Sequence, residues 1–219
     1  MMWSPSMTGL RVAGSVWSCR AAGHLLVLLA VALPGVAARA AVEPPGQVVV
    51  RNTTARMIEA LRRDREKISA HPARIYNLVA DIILPHFDFD RMSRRVLGKH
   101  WRRASRAQRE RFVREFRTLL VRTYATALAE YRDQTIRYLK PRARDNTELT
   151  VRTQIEQPGG PPIPIDYQLY RSADSWKVYD VVIDGVSLVV NYRSSFSAEI
   201  RKGGIDGLIA RLAEHNGAN

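Results

Sequence analysis

Cysteine is the scarcest residue type in this chain, with a single example, Cys19, among 219 residues. Everything after it therefore lacks a disulfide, a thiolate metal site and a cysteine nucleophile. Cys19 also precedes the apolar run at residues 25–33, so it is not a lipoprotein cysteine, which would follow such a run. Long apolar runs are nearly absent too. LLVLLAVAL is too short to cross a membrane, since spanning the hydrocarbon takes about 20 residues. No stable membrane insertion is expected. Catalytic and metal spacings are missing as well. His71, His86, His100 and His215 form no H-E-x-x-H pattern or other metal spacing, and there is neither a G-x-S-x-G elbow nor a phosphate loop. Gly159-Gly160 is flanked by prolines and reads as a hairpin turn.

The first forty residues contain no acidic side chain, but they do carry Arg11, Arg20 and His24 ahead of the apolar run. Pro34 and Gly35 end that run, and Ala38-Arg39-Ala40 follows as an A-x-A pattern. A basic region, a short apolar core and small residues at a cleavage site make a secretory signal peptide. We expect residues 1–40 to be removed near Ala40, residues 41–219 to form a single domain, and the product to reside in the periplasm. The long leader points to Met7 as the start. The net charge is +13, or +10 without the leader's three arginines. Export argues against nucleic acid as the basic protein's partner. Anionic head groups remain, each nearby cation being worth about 1 kcal/mol of attraction.

The pattern along residues 41–219 separates helices from strands. An amphipathic helix carries Val50, Met57, Ile58, Leu61 and Ile68 and ends at His71-Pro72. Ile75, Leu78, Val79, Ile82 and Ile83 define a second helix, stopped by Pro85, and residues 87–97 a short third, closed by Gly98. Ser105-x-x-Gln108 is a capping box opening the longest helix, to about Arg132. Residues 134–140, 147–156, 163–171 and 175–183 are rich in β-branched and aromatic residues and are separated by turn chemistry, which predicts four strands. Helix returns at residues 186–201, breaks at Gly203-Gly204 and resumes at 205–214. Segregated elements of this kind predict an α+β fold, with helices packed on one face of a curved four-stranded antiparallel sheet.

Candidate chemistry is sparse. Asp166 and Asp180 lie on strands, where a carboxylate could serve as a general base of an isomerase or dehydratase. The alternation of Ile163, Ile165, Tyr167 and Leu169 with polar neighbours instead places Asp166 on a solvent face, and both aspartates are expected there, paired with arginines. Asp88, Asp90, Arg91, Arg94 and Arg95 read as a solvated charged face. The apolar residues fill a plain core or line a pocket, and periodicity does not separate the two.

Two stretches carry a resemblance. Residues 80–128 include Leu84-Pro85, Val96-Leu97-Gly98-Lys99, Trp101, Ala104-Ser105, Gln108-Arg109, Phe112, Phe116 and Tyr124. Residues 176–212 include Tyr179-Asp180-Val181, Asp184-Gly185-Val186-Ser187-Leu188, Asn191-Tyr192-Arg193 and Gly203-Gly204-Ile205-Asp206-Gly207-Leu208. This frame, with the strand at residues 162–170 between its halves, resembles the MlaC family of periplasmic phospholipid-binding proteins, also called toluene-tolerance auxiliary proteins. Agreement is weakest over residues 41–70, where only helical character matches.

The resemblance implies a cone-like, NTF2-like fold enclosing an apolar pocket. It also implies a carrier, not an enzyme, that shuttles phospholipid between an outer-membrane lipoprotein–porin complex and an inner-membrane ABC transporter with a substrate-binding ring, maintaining outer-membrane lipid asymmetry. The family's hopanoid-associated members leave a polycyclic lipid as an alternative cargo. No cofactor is implied. Two acyl chains carry roughly 30 methylenes, so at about 0.8 kcal/mol each, bare transfer through water costs some 24 kcal/mol. A carrier must offer an apolar site of nearly equal worth, at the upper end of or beyond the ~300–1,000 Å³ of ordinary pockets. The expected lipid-binding residues are Ile165, Tyr167 and Leu169 on the sheet, Tyr124, Leu128 and Tyr131 on the long helix, and Leu84, Leu97, Val186 and Val189 where the cone closes. Arg95, Lys99 and Arg193 are candidates to meet phosphate.

Overall fold

The computed structural model describes residues 42–132, 134–173 and 175–218; the signal peptide expected at residues 1–40 lies outside them. The long helix begins where the capping box predicts. Ser105 Oγ accepts from the Gln108 N–H at 3.2 Å, and Gln108 Oε1 accepts from the Ser105 N–H at 2.9 Å, which opens α6 (Arg106–Ala129). Ser105→Ala should destabilise the protein by about 1 kcal/mol, read as a small shift in urea midpoint at constant slope. The helix stops at Ala129, three residues before the expected end.

The amphipathic segment ahead of it forms α1 (Pro45–Arg63) and α2 (Arg65–Ala70), separated at Asp64. The second predicted helix is not uniform. Helix α3 (Arg74–Leu78) runs into a π turn (Val79–Ile83), in which the Leu84 N–H reaches back to Val79 O, and then a 3₁₀ turn (Leu84–His86). Pro85 has no N–H to offer the Asp81 carbonyl and would crowd it in a regular helix, so the turn widens. Helices α4 (Phe89–Leu97) and α5 (Lys99–Arg103) meet at Gly98. The final helix, α7 (Leu188–Ala218), kinks at Gly203 and Gly204, as the glycine pair predicts.

Six strands make up the sheet among the described residues, where four were expected. Those four are β1 (Thr135–Tyr138), β3 (Glu148–Glu156), β4 (Ile163–Arg171) and β5 (Trp176–Ile183). The additions are two-residue strands, β2 (Arg142–Ala143) and β6 (Val186–Ser187). The order is β1-β3-β4-β5-β6, with β2 also paired to β3, and every pairing is antiparallel. Val186 and Ser187 therefore belong to a strand, not to the helix predicted at 186–201. Asp184 and Gly185 both take positive φ (49° and 79°), the two-residue hairpin geometry that returns the chain along β5.

Three apolar clusters hold these elements together. One joins α4, the first half of α6 and α7, around Met92, Phe112, Phe116, Leu208 and Ile209. A second joins α1 to the π turn with the second half of α6, around Met57, Ile68, Ile75, Val79 and Ala125. The third lies on the sheet, where Val151, Leu169 and Val178 pack with Val50 of α1 and Leu188 of α7. Close approach of α1 to the sheet depends on Gly46. A Cβ there would stand 2.8 Å from Leu149 Cδ2 and 3.1 Å from Trp176 Cδ2, so a larger residue would push the helix away.

The charged stretch after Phe87 is not simply a solvated face. Asp88 caps α4 by accepting from the Arg91 N–H at 2.8 Å, and its other oxygen accepts from the Tyr170 hydroxyl. The Arg91 guanidinium lies 3.9 Å from the Tyr170 ring centroid, and that of Arg95 lies 4.3 Å from the Tyr179 centroid. These contacts tie α4 to the sheet, while Asp90 and Arg94 stay exposed. Arg95 is thus committed to an aromatic ring.

Candidate functional site

Register decides which strand residues share the face turned to α1. Ile136 pairs with Ile155 and Tyr138 with Thr153 across β1–β3; Ile165 pairs with Thr153 and Tyr167 with Val151 across β3–β4; Ile183 pairs with Ile165 and Val181 with Tyr167 across β4–β5. One apolar face thus runs from the β1 edge to β5. A central strand covered by helices would be buried along such a face. On β4 only Leu169 is, whereas Ile163, Ile165 and Tyr167 remain half-buried. The helices close over the Leu169 end and leave the Ile163–Tyr167 end partly open.

A groove lies at that side, between α1 and the β1 edge. It measures about 710 Å³ and is lined by Thr54, Ala55 and Ile58 of α1, Ile136 and Tyr138 of β1, and Tyr131 beyond α6, among others. Its size falls within the ordinary ligand range, not beyond it. Basic side chains rim it: Arg51, Arg62 and Arg63, with Glu59 as the acidic member. Arg51 is anchored, its guanidinium 4.0 Å from the Tyr138 centroid and 2.8 Å from Glu43 Oε1.

The expected lipid-binding residues divide. Ile165 and Tyr167 lie half-buried on the inner sheet face. Tyr124 sits between the sheet cluster and the first helix cluster, and Leu128 and Tyr131 pack on the second, Tyr131 reaching the groove. Leu84 bridges both helix clusters. Leu97, Leu169 and Val189 are enclosed among core side chains. Val186 is 55% exposed on β6 and joins none of them. Ala55, Ile58, Ile136 and Tyr138 carried no sequence expectation as site residues. Ile58 stood on the stripe that marks α1, but nothing in the pattern told which strand edge it would face.

Two phenols in this region ionise above the ordinary tyrosine range. Burial, aided by Tyr192, raises the Tyr124 hydroxyl to about 12, and burial, aided by Tyr138, raises that of Tyr167 to about 12. Both are neutral when folded, while an unfolded tyrosine ionises near 10. Their contribution to stability is complete below pH 10 and is lost as pH rises toward 12. Unfolding midpoints should fall over that window, and Tyr167→Phe should flatten the fall.

Neither aspartate is poised as a base. Asp166 is half-exposed and its Oδ2 lies 3.8 Å from Arg152 Nε. Asp180 is not on the solvent face expected of it but 5% exposed. A register shift between Gln168 and Leu169 interrupts the alternation of β5, so Val178, Tyr179, Asp180 and Val181 are all buried. Its Oδ1 accepts from the Val189 N–H at 3.1 Å and its Oδ2 from the Ser187 hydroxyl at 2.6 Å, while Ser187 Oγ accepts from the Val190 N–H at 3.1 Å. Asp180 and Ser187 together cap the start of α7.

A family model, MlaC protein, matches residues 51–214. The chain belongs to the MlaC family. The match begins inside α1, extends into α7 and includes both stretches that carry the resemblance. The toluene tolerance protein ttg2D of Pseudomonas putida is 28% identical over 159 residues, which span 72% of this chain and 74% of that protein. The intermembrane phospholipid transport system binding protein MlaC of Haemophilus influenzae is 28% identical over 171 residues, 76% of this chain and 80% of its own length. Among solved structures, a phospholipid-binding protein from Ralstonia solanacearum, in complex with a phospholipid, superposes with a TM-score of 0.74 at 32% identity, over 80% of this chain and 98% of that one. The MlaC fold in this chain is thus helices on an open, curled antiparallel sheet. No helix among the described residues is long and apolar enough to cross a membrane.

Proposed function

We propose that this MlaC-family chain is a non-enzymatic periplasmic carrier of phospholipid. In this reading it passes lipid between an outer-membrane lipoprotein–porin complex and an inner-membrane ABC transporter with a substrate-binding ring, sustaining outer-membrane lipid asymmetry. The observation that carries the reading is the half-covered inner face of β4, which shares one sheet face with Ile136 and Tyr138 of the groove between α1 and β1. Acyl chains enter there and lie against Ile165 and Tyr167, with Tyr124 and Leu128 behind them. Apolar lining removes methylenes from water at about 0.8 kcal/mol each. The head group stays at the rim near Arg62 and Arg63, in solvent. No bond is made or broken, so no general base is required, in keeping with an ion-paired Asp166 and a capping Asp180.

Incubating the purified full chain with phospholipid vesicles, separating the two by size and counting the lipid that stays with protein tests this directly. The expected result is about one two-tailed lipid per chain, with Asp166→Asn unchanged within about twofold. Uptake of polycyclic lipid instead would move the cargo to the hopanoid type. No uptake would remove the carrier reading.

A further inference from the structure

Lys99 and Arg193, expected at a lipid phosphate, do not lie at the groove between α1 and β1. They line a second cleft of about 740 Å³, together with Arg94, Trp101, Arg102 and Arg109 around Gly98. This cleft is formed by α4, α5, the first turn of α6 and α7. Arg109 and Tyr131 lie at opposite ends of α6, which at 1.5 Å per residue puts the two sites about 30 Å apart. The tails of one lipid leaflet reach only about 15 Å. A lipid seated in the groove therefore cannot place its head group in the cleft.

Five cations line the cleft and no carboxylate does. Several arginines elsewhere have a carboxylate partner: Arg51 has Glu43, Arg91 has Glu148, Arg137 has Glu156 and Arg211 has Glu199. Among the described residues, no ion pair is made by Arg94, Lys99, Arg102, Arg109 or Arg193. Gathering like charges without a counter-charge is unfavourable unless an anion completes the set.

The cleft is also built, not merely crowded. Arg109 Nε donates to the Trp101 carbonyl at 2.9 Å, and the Arg94 and Arg109 guanidiniums lie 5.6 and 5.3 Å from the Trp101 ring centroid. Gly98 has φ +53°, and a Cβ there would stand 2.5 Å from Arg193 Nη2, so glycine is what lets that guanidinium settle against the backbone.

We propose that this cleft is a second binding site, one that takes a phosphate-bearing anion independently of the lipid groove. Planar guanidiniums match phosphate oxygens in pairs, and Lys99 supplies a point charge beside them. A phosphate group can reach the cleft free in solution or as the head group of a membrane lipid, and the chemistry of recognition is the same. The site stands on its own geometry, whatever the groove carries.

The test uses the purified full chain and two probes: inorganic phosphate in equilibrium dialysis, and flotation with vesicles containing phosphatidic acid. Arg193→Gln and Lys99→Gln alter exposed side chains, and circular dichroism checks that the fold is kept. Arg56→Gln, an exposed arginine outside both linings, is the control. About one phosphate retained per chain, weakened at least tenfold by either cleft substitution and unchanged by Arg56→Gln, supports the site with free phosphate as its source. Flotation lost in the same two variants, with no retention of free phosphate, supports it with a lipid head group as the source. Gly98→Ala should weaken whichever probe binds. Retention of neither probe overturns the proposal, as does binding indifferent to Arg193→Gln and Lys99→Gln. Retention of polyglutamate but not of phosphate also overturns it, marking instead a surface for an acidic protein segment.

Discussion

Replacing Asp180 with alanine is expected to lower the thermal unfolding midpoint by roughly 6–12 °C. The substitution strips the Val189 N–H and the Ser187 hydroxyl of their acceptor at a site almost closed to water. Losing a buried, charge-assisted cap costs about 3 kcal/mol, and each kcal/mol moves the midpoint of a domain this size by about 2–4 °C. The loss falls on the start of α7, whose Leu188 and Val189 pack into two different apolar clusters. Amide exchange should therefore quicken first at the N-terminal turns of α7. Lipid uptake by the surviving folded fraction, measured well below the midpoint, should stay within about twofold of the unaltered chain. An Asp180→Ala protein with an unmoved midpoint would show that the cap is not what the carboxylate is for, and would bring back a catalytic role.

The second large effect concerns the groove. Ala55 is exposed on α1 and lines the gap opposite β1. Ala55→Trp adds a bulky ring where acyl chains would pass, without touching the buried face of the helix. Stability should shift by no more than about 0.5 kcal/mol, as for most surface changes. Lipid uptake from vesicles should fall at least about tenfold. A tryptophan placed at Arg56, on the same helix but outside the groove lining, should leave uptake unchanged. If Ala55→Trp takes up lipid normally, the entrance lies elsewhere.

These two residues also mark where the sequence was legible and where it was not. Local signals read true: the Ser105–Gln108 capping box, the glycine break in α7, and the alternation that put Ile165 and Tyr167 on one face with Asp166 on the other. Each is decided by neighbours within a few residues. The groove is not local. Ala55 and Ile136 meet only because β1 pairs with the outer edge of β3 while α1 crosses the sheet, and nothing in either segment encodes that. Asp180 was misread for a related reason. Strand alternation assumes an unbroken register, and the shift beside Leu169 turns a residue expected in solvent into a buried cap. The charged run at Asp88–Arg95 was misread because a guanidinium that stacks on a tyrosine looks, in sequence, the same as one in water. Val186 looked like the first turn of a helix because the Asp184-Gly185 hairpin that precedes it leaves room for only a two-residue strand.

The central claim is that the open inner face of β4 holds the tails of a phospholipid. Native mass spectrometry of the chain purified from its own membrane-bearing cells, followed by lipid extraction, tests it most directly. The account predicts a mass increment equal to one two-tailed phospholipid on most molecules, absent from Ala55→Trp. A lipid-free protein that also acquires no lipid from vesicles would contradict it.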